Sequence, residues 1–156
     1  MDALLAIKPE FAEKILSGEK RYEFRRTSFR SAQDIDFVFL YSSAPVKKIV
    51  GGFSTDRTVE ADPQELWDLY NDTAGIDQDR FMEYFEGAET GYAIQVDEAY
   101  RFENPIDPDD VFEEFSAPMS FLYLDEKRSD ALQEYLPSKF RQPEATSLAR
   151  YSTGDN

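Results

Sequence analysis

The chain has 156 residues and a mass of 18.0 kDa, the size of one domain built around one core. It contains neither cysteine nor histidine. This excludes disulfides, thiolate nucleophiles, Cys- or His-based zinc sites and Ser-His-Asp catalysis, and leaves Lys, carboxylates, Tyr, hydroxyls, backbone groups or an oxygen-held hard cation. Lys and Arg number 17 against 32 Asp and Glu, a net charge of −15, yet residues 1–50 carry 9 basic and 7 acidic side chains.

Residues 3–7 (Ala-Leu-Leu-Ala-Ile) read as a short buried strand. Pro9 suits the first position of a helix whose apolar face is Phe11, Ala12, Ile15 and Leu16, ended by Ser17-Gly18. Arg21 to Arg26 alternates as a strand, with Tyr22 and Phe24 on one face and Arg21, Glu23 and Arg25 on the other. Strands follow at residues 35–41 and 46–54, separated by the loop Ser42-Ser43-Ala44-Pro45, and Gly51-Gly52 marks a bulge or sharp bend. Asp62-Pro63-Gln64-Glu65 opens a helix carrying Leu66, Leu69 and Tyr70, and a second helix fits 79–86 with Phe81, Met82 and Phe85 inward. Trp67 and Tyr70 are read as core rather than base-stacking platforms. Strands resume at 91–102 and 119–124, and Ser129 is expected to cap a last helix ending before Pro137.

These elements predict one α+β domain over residues 1–137, a small and mostly antiparallel β-barrel with a short N-terminal helix and a helical insertion at about 62–87. Residues 138–156 lack periodicity and are expected to form a flexible tail. The apolar runs are far shorter than the ~20 residues a bilayer needs, and the N-terminus lacks a basic start and an apolar stretch. A cytoplasmic monomer with no membrane partner is expected. The acidity, with 7 Lys against 10 Arg and 16 Asp, reads as adaptation to concentrated salt, where self-repulsion is screened. Asp107-Pro108-Asp109-Asp110 lacks the spacing of a calcium loop and reads as surface solvation. No metal or cofactor is expected.

Chemistry concentrates between Ile7 and Arg26. Lys8 stands at the entry of a helix with unsatisfied N–H groups, which favours anions. Lys20 falls in the turn after that helix, where its ammonium can reach outward as a point charge. Glu23 and Arg25, two apart on a strand, project from one face. Arg25 can fork onto phosphate or a base edge, and Glu23 can accept from an exocyclic amine or hold Lys20. An ordinary surface charge ladder is the competing reading of the same residues.

Gly18, Lys20, Glu23 and Arg25, spaced G-x-K-x-x-E-x-R after a short helix, resemble the signature of the ASCH domain, a branch of the PUA-like superfamily. The resemblance extends to Ile7-Lys8-Pro9, to Tyr41-Ser42-Ser43-Ala44-Pro45 with the strand after it, to Gly91-Tyr92-Ala93-Ile94 and to Pro118–Tyr123. It implies a small β-barrel with a cleft beside the first helix that binds RNA or a nucleotide. Lys20, Glu23 and Arg25 would face that cleft, Lys8 would assist through phosphate contact, and Ser42 and Ser43 would contact phosphate or ribose from a neighbouring loop. Some members of the wider family are amidohydrolases acting on acylated cytidine. Their motif pairs the Lys with a Thr where this chain has Glu23, and Thr27 is out of register. Hydrolysis of acylated nucleosides, with Lys20 or Glu23 handling a proton, is therefore the alternative. A third reading is a protein-interaction domain using the acidic face of residues 51–156.

Overall fold

A computed structural model describes residues 1–29 and 35–141. The elements run β1 (Asp2–Ile7), α1 (Pro9–Leu16), β2 (Tyr22–Arg25), β3 (Phe37–Ser42), β4 (Lys48–Ser54), β5 (Thr58–Ala61), α2 (Pro63–Tyr70) and α3 (Gln78–Tyr84). They continue with β6 (Gly91–Gln95), β7 (Glu98–Ile106), α4 (Pro108–Val111), β8 (Phe121–Tyr123) and α5 (Glu126–Gln133), with 3-10 turns at Asn71–Thr73 and Ser138–Phe140. Five strands form one sheet in the order β7-β4-β3-β1-β8, and three form a second in the order β2-β6-β5. Every pairing is antiparallel except that of β1 with β3.

The expected α+β class is therefore present. The described ladders make two separate sheets and close no barrel. The stretch expected as one strand from Gly91 to Phe102 is divided between them. After β6 the Val96 amide donates to the Arg21 carbonyl at 2.9 Å, and the Asp97 amide donates to the Ser54 carbonyl of the other sheet at 2.9 Å. Two residues thus carry the chain from sheet to sheet. The edge strand β5 has only four residues, too few to show a period of two, and sequence reading passes over it.

Alternation along the central strands feeds two apolar layers. Ala3, Leu5, Ile7, Val38 and Leu40 face inward with Ala12 and Ile15 of α1, Phe53, and Ile94 and Val96 of the second sheet. Leu4, Phe37, Phe39 and Tyr41 point the other way, under Phe112, Leu124, Leu132 and Leu136. Being sandwiched on both faces, β3 is buried at all six positions, which is why it reads in sequence as an unbroken apolar run. On the second sheet Phe24 and Ala93 pack outward against Leu66, Phe81 and Phe85 of the helical insertion. Trp67 packs on Phe81 at 5.1 Å and Tyr70 stacks on Tyr22 at 4.0 Å, so both are half-buried against the core of the insertion.

Local signals explain most boundaries. Asp62 and Asp77 cap α2 and α3 through the amides of Gln64 and Arg80, both at 2.8 Å. A bulge at Val50 shifts the register of β4 against β3, and the register against β7 shifts across the same residue. It sits beside Gly51, where an added Cβ would lie 2.2 Å from the Tyr100 carbonyl oxygen. Ser129 does not cap the last helix. Asp125 does, accepting from the Arg128 amide at 2.8 Å, while the Ser129 hydroxyl donates to buried Asp2 and ties α5 to β1. Asp107 likewise caps α4 by accepting from the Asp109 amide at 3.0 Å. Within the stretch expected as a tail, Phe140 packs on Phe37 at 5.5 Å and on Tyr100 at 6.0 Å; the rest of that stretch, residues 142–156, lies outside the described residues. No helix among the described residues is long and apolar enough to cross a membrane.

Candidate functional site

A cavity of about 530 Å³ opens at the C-terminal end of β1, bounded by the start of α1, by β2 and by α3. Its volume falls in the roughly 300–1,000 Å³ range of small-ligand pockets. Lys8, Lys20, Glu23, Arg25 and Ser43 all line it. Ser42 does not: its side chain is buried and lines a separate groove of about 300 Å³ between α1 and β7. The reason is strand alternation. Ser42 ends β3 with its side chain on the face opposite that of Ser43.

Lys20 is buried rather than reaching outward. Gly18, at φ +89°, ends α1 and turns the chain back, so that the Lys20 amide donates to the Lys14 carbonyl at 2.9 Å and the Arg21 amide to Thr73 at 2.8 Å. This pins Lys20 against the 3-10 turn that joins α2 to α3. Its Nζ donates to the Ala74 carbonyl at 2.6 Å, lies 3.6 Å from Glu23 Oε1, and stands 4.9 Å and 5.3 Å from the ring centres of Phe24 and Phe11. Burial holds its pKa below the ordinary lysine value of 10.5, with the Glu23 carboxylate opposing that shift. The neighbouring residue Gly75 has φ +70°, and a Cβ there would sit 2.7 Å from Lys20 Cβ.

Glu23 is 6% exposed and bridges two cations. Its Oε2 accepts from Arg25 Nε at 2.9 Å, while Arg25 Nη2 donates to the Ala6 carbonyl of β1 at 2.8 Å. Tyr22 and Phe24 occupy the outward face of β2, so Glu23 and Arg25 turn toward the space between the sheets. The three motif residues are thus an internal ion-pair network that also forms one wall of an open cavity.

Sequence reading missed the opposite wall. Arg80 and Tyr84, four apart on α3, flank the cavity with Ile76, just ahead of that helix. Arg80 makes two bonds to Glu10 of α1, at 3.0 Å and 3.2 Å, and its guanidinium lies 5.1 Å from the Phe11 ring centre. The i, i+4 spacing of Arg80 and Tyr84 was the available signal, masked by the stronger Phe81–Phe85 period of the buried face. Met119, fully exposed ahead of β8, closes the rim. The lining carries four cations (Lys8, Lys20, Arg25, Arg80) against two carboxylates (Glu23, Glu83) in a chain of net charge −15. Thr27 is exposed beyond the end of β2 and lies outside the lining, so the only hydroxyls on it among the described residues are Ser43 and Tyr84. No group of three or more carboxylates is placed to hold a metal ion among the described residues.

No protein-family model matches the chain. Individual proteins do. The chain is 30% identical over 136 residues to an ASCH domain-containing ribonuclease of Zymomonas mobilis, covering 84% of this chain and 89% of that one. It is 28% identical over 122 residues to the large ribosomal subunit protein uL22 of Ureaplasma parvum, covering 78% of this chain but only 38% of that one. Among solved structures, ASCH from Zymomonas mobilis superposes with a TM-score of 0.77 at 27% identity, covering 85% of this chain and 94% of that one. The N-terminal domain of Staphylothermus marinus McrB, at 12% identity and a TM-score of 0.54, shares the fold alone. With this identity over most of both chains and the same fold, the chain belongs to the ASCH domain family.

Proposed function

We propose that this protein binds single-stranded RNA and seats one nucleotide in the cavity beside Lys20, Glu23 and Arg25. The observation that carries the reading is the excess of cations around one concave, partly apolar site in an otherwise strongly anionic molecule. The net charge of −15 favours short-range contacts to one unstacked nucleotide over counterion release along a duplex. Exposed Lys8 and the Ser43 hydroxyl contact phosphate or ribose. Both Glu23 oxygens are already engaged by Arg25 and Lys20, so base recognition falls to the remaining Arg25 amino group rather than to the Glu23 carboxylate. The ribonuclease named among the relatives gives the RNA assignment independent support.

The test is fluorescence anisotropy with labelled single-stranded RNA across a salt series. Lys8→Ala is expected to weaken binding while leaving the thermal melt unchanged, because Lys8 is exposed. Wild-type protein that binds no RNA pool, or a Lys8→Ala variant that binds as wild type does, sinks the assignment.

RNA cleavage is the second reading, favoured by the relative's activity and by the lowered pKa of Lys20. In this reading the Lys20 amine must first give up its proton, which its burial favours and Glu23 opposes; it then accepts the proton of a ribose 2′-hydroxyl, whose oxygen attacks the adjacent phosphorus. The phosphorus–O5′ bond breaks, the leaving oxygen takes up a proton, and a 2′,3′-cyclic phosphate and a 5′-hydroxyl end result. End-labelled RNA on a denaturing gel reports this directly, and Lys20→Arg, which cannot become neutral, should abolish it. Intact RNA after prolonged incubation with wild-type protein removes cleavage and leaves binding standing. Removal of an acyl group from a nucleoside has less support, since Glu23 stands where the amidohydrolase motif has Thr.

A further inference from the structure

The two motif cations are largely committed inside the protein. Lys20 Nζ donates to the Ala74 carbonyl, and Arg25 donates to Glu23 and to the Ala6 carbonyl. A phosphate entering the cavity therefore finds its charge partners nearer the mouth. Arg80 stands there along with exposed Lys8, on the cavity lining, its guanidinium forked onto Glu10 and lying by the Phe11 ring. Its backbone is fixed, because the Arg80 amide donates to Asp77 at the N-terminus of α3 and the next residue, Phe81, is buried. The side chain is not: Arg80 is 43% exposed and Glu10 is 46% exposed. An exposed ion pair of this kind contributes little on its own. A phosphodiester offers two non-bridging oxygens that the guanidinium fork can grip as it grips the carboxylate, and a terminal phosphate adds further charge.

We infer that Arg80 captures the phosphate of the bound nucleotide and that Glu10 is its built-in competitor, displaced when that phosphate arrives. Phe11 keeps the guanidinium on the cavity side during the exchange, so the movement is a change of partner rather than a refolding. Glu10 then acts as a threshold. A neutral nucleoside cannot displace it, whereas a nucleotide or an RNA phosphate can, and the pair selects phosphorylated ligands over their unphosphorylated counterparts. Helix α3 of the insertion thereby supplies a binding residue that the N-terminal motif does not contain.

This inference rests on the RNA reading, and its test separates the two. Anisotropy is measured with a short mixed-sequence single-stranded RNA for wild type, Arg80→Gln, Glu10→Gln and the double variant, with thermal melts alongside. Arg80→Gln should weaken binding about tenfold, the loss of a charge-assisted fork. Its plot of log affinity against log salt should flatten by about 0.7, the contribution of one phosphate contact on a single strand. Glu10→Gln should tighten binding about threefold by freeing Arg80. The double variant should bind like Arg80→Gln alone, because Glu10 acts only through Arg80. Both single variants break the same ion pair, so their melts should shift alike while their affinities move in opposite directions. Affinities that move together, or Glu10→Gln that leaves affinity unchanged, overturn the inference. Failure of wild-type protein to bind any RNA sinks the RNA reading instead; the same four proteins titrated with inorganic pyrophosphate then decide whether Arg80 and Glu10 trade an anion between them.

Discussion

Removing the Glu23 carboxylate is the most searching perturbation of this fold, because it distinguishes a buried ionic network from the surface charge ladder that the sequence alone also allows. Glu23→Ala leaves Lys20 and Arg25, with side chains 3% and 13% exposed, without their shared counter-charge. Breaking a buried pair by deleting one partner costs about 3–5 kcal/mol. Here the lower end applies, since Lys20 keeps the Ala74 carbonyl at 2.6 Å and Arg25 keeps that of Ala6 at 2.8 Å. A loss of about 3 kcal/mol lowers the melting temperature by roughly 6–12 °C in a domain of this size. Urea denaturation should show the same loss as a lower midpoint with an unchanged slope. Glu23→Gln keeps the shape and one acceptor but not the charge, and should fall between wild type and Glu23→Ala. If Glu23→Ala stays within about 0.5 kcal/mol of wild type, as changes at exposed sites do, the network is not a buried one and the reasoning fails.

Gly75→Ala and Gly87→Ala both force Ala to a left-handed backbone, at φ +70° and +83°, but only the first drives a methyl group against Lys20. Gly75→Ala should therefore cost about 1–3 kcal/mol more than Gly87→Ala, read from denaturant midpoints; equal losses would mean the Lys20 stem is not held there. Because the folded Lys20 loses its proton below 10.5 and the unfolded one near it, the unfolded chain binds more protons in that window and stability rises with pH across it. Lys20→Met should lack this rise, so the stability difference must move in favour of wild type as pH climbs toward 10.5; parallel pH profiles would contradict the burial argument. Ser43→Ala should weaken RNA binding about fivefold, the value of one hydrogen bond, while Ser42→Ala leaves it unchanged, and the reverse order in anisotropy would relocate the site. Thermal melts should rise steeply between dilute buffer and molar KCl if the −15 charge is an adaptation to salt, and a flat series would end that reading.

The candidate site was legible in part, and the division follows range. Lys20, Glu23 and Arg25 were brought to one place because a helix stop at Gly18 and a period-two strand are local events, each encoded within a few residues. Their surroundings were not local. The Ala74 carbonyl and Gly75 that enclose Lys20 lie 54 and 55 positions along the chain, and the Ala6 carbonyl that receives Arg25 lies 19 back. Nothing near position 20 announces either, which is why Lys20 reads as an outward point charge and is found buried. Ser42 and Ser43 show the same limit at one residue's scale: the loop was identifiable, but its first serine belongs to the strand and faces the other way.

By itself the sequence determined the chemistry on offer and the local elements: no thiol or imidazole, a capped helix at Asp62 and a second from about residue 79, alternating strands, and a short motif rich in both charges. Only tertiary structure decided that the strands divide into two sheets, that α3 stands across from β2, and that a cationic hollow remains between them. The physical reason is that capping and alternation are satisfied by neighbours in the chain. Charge pairing, burial and cavity shape depend on which distant backbone carbonyls and side chains the packed core brings within a few ångströms.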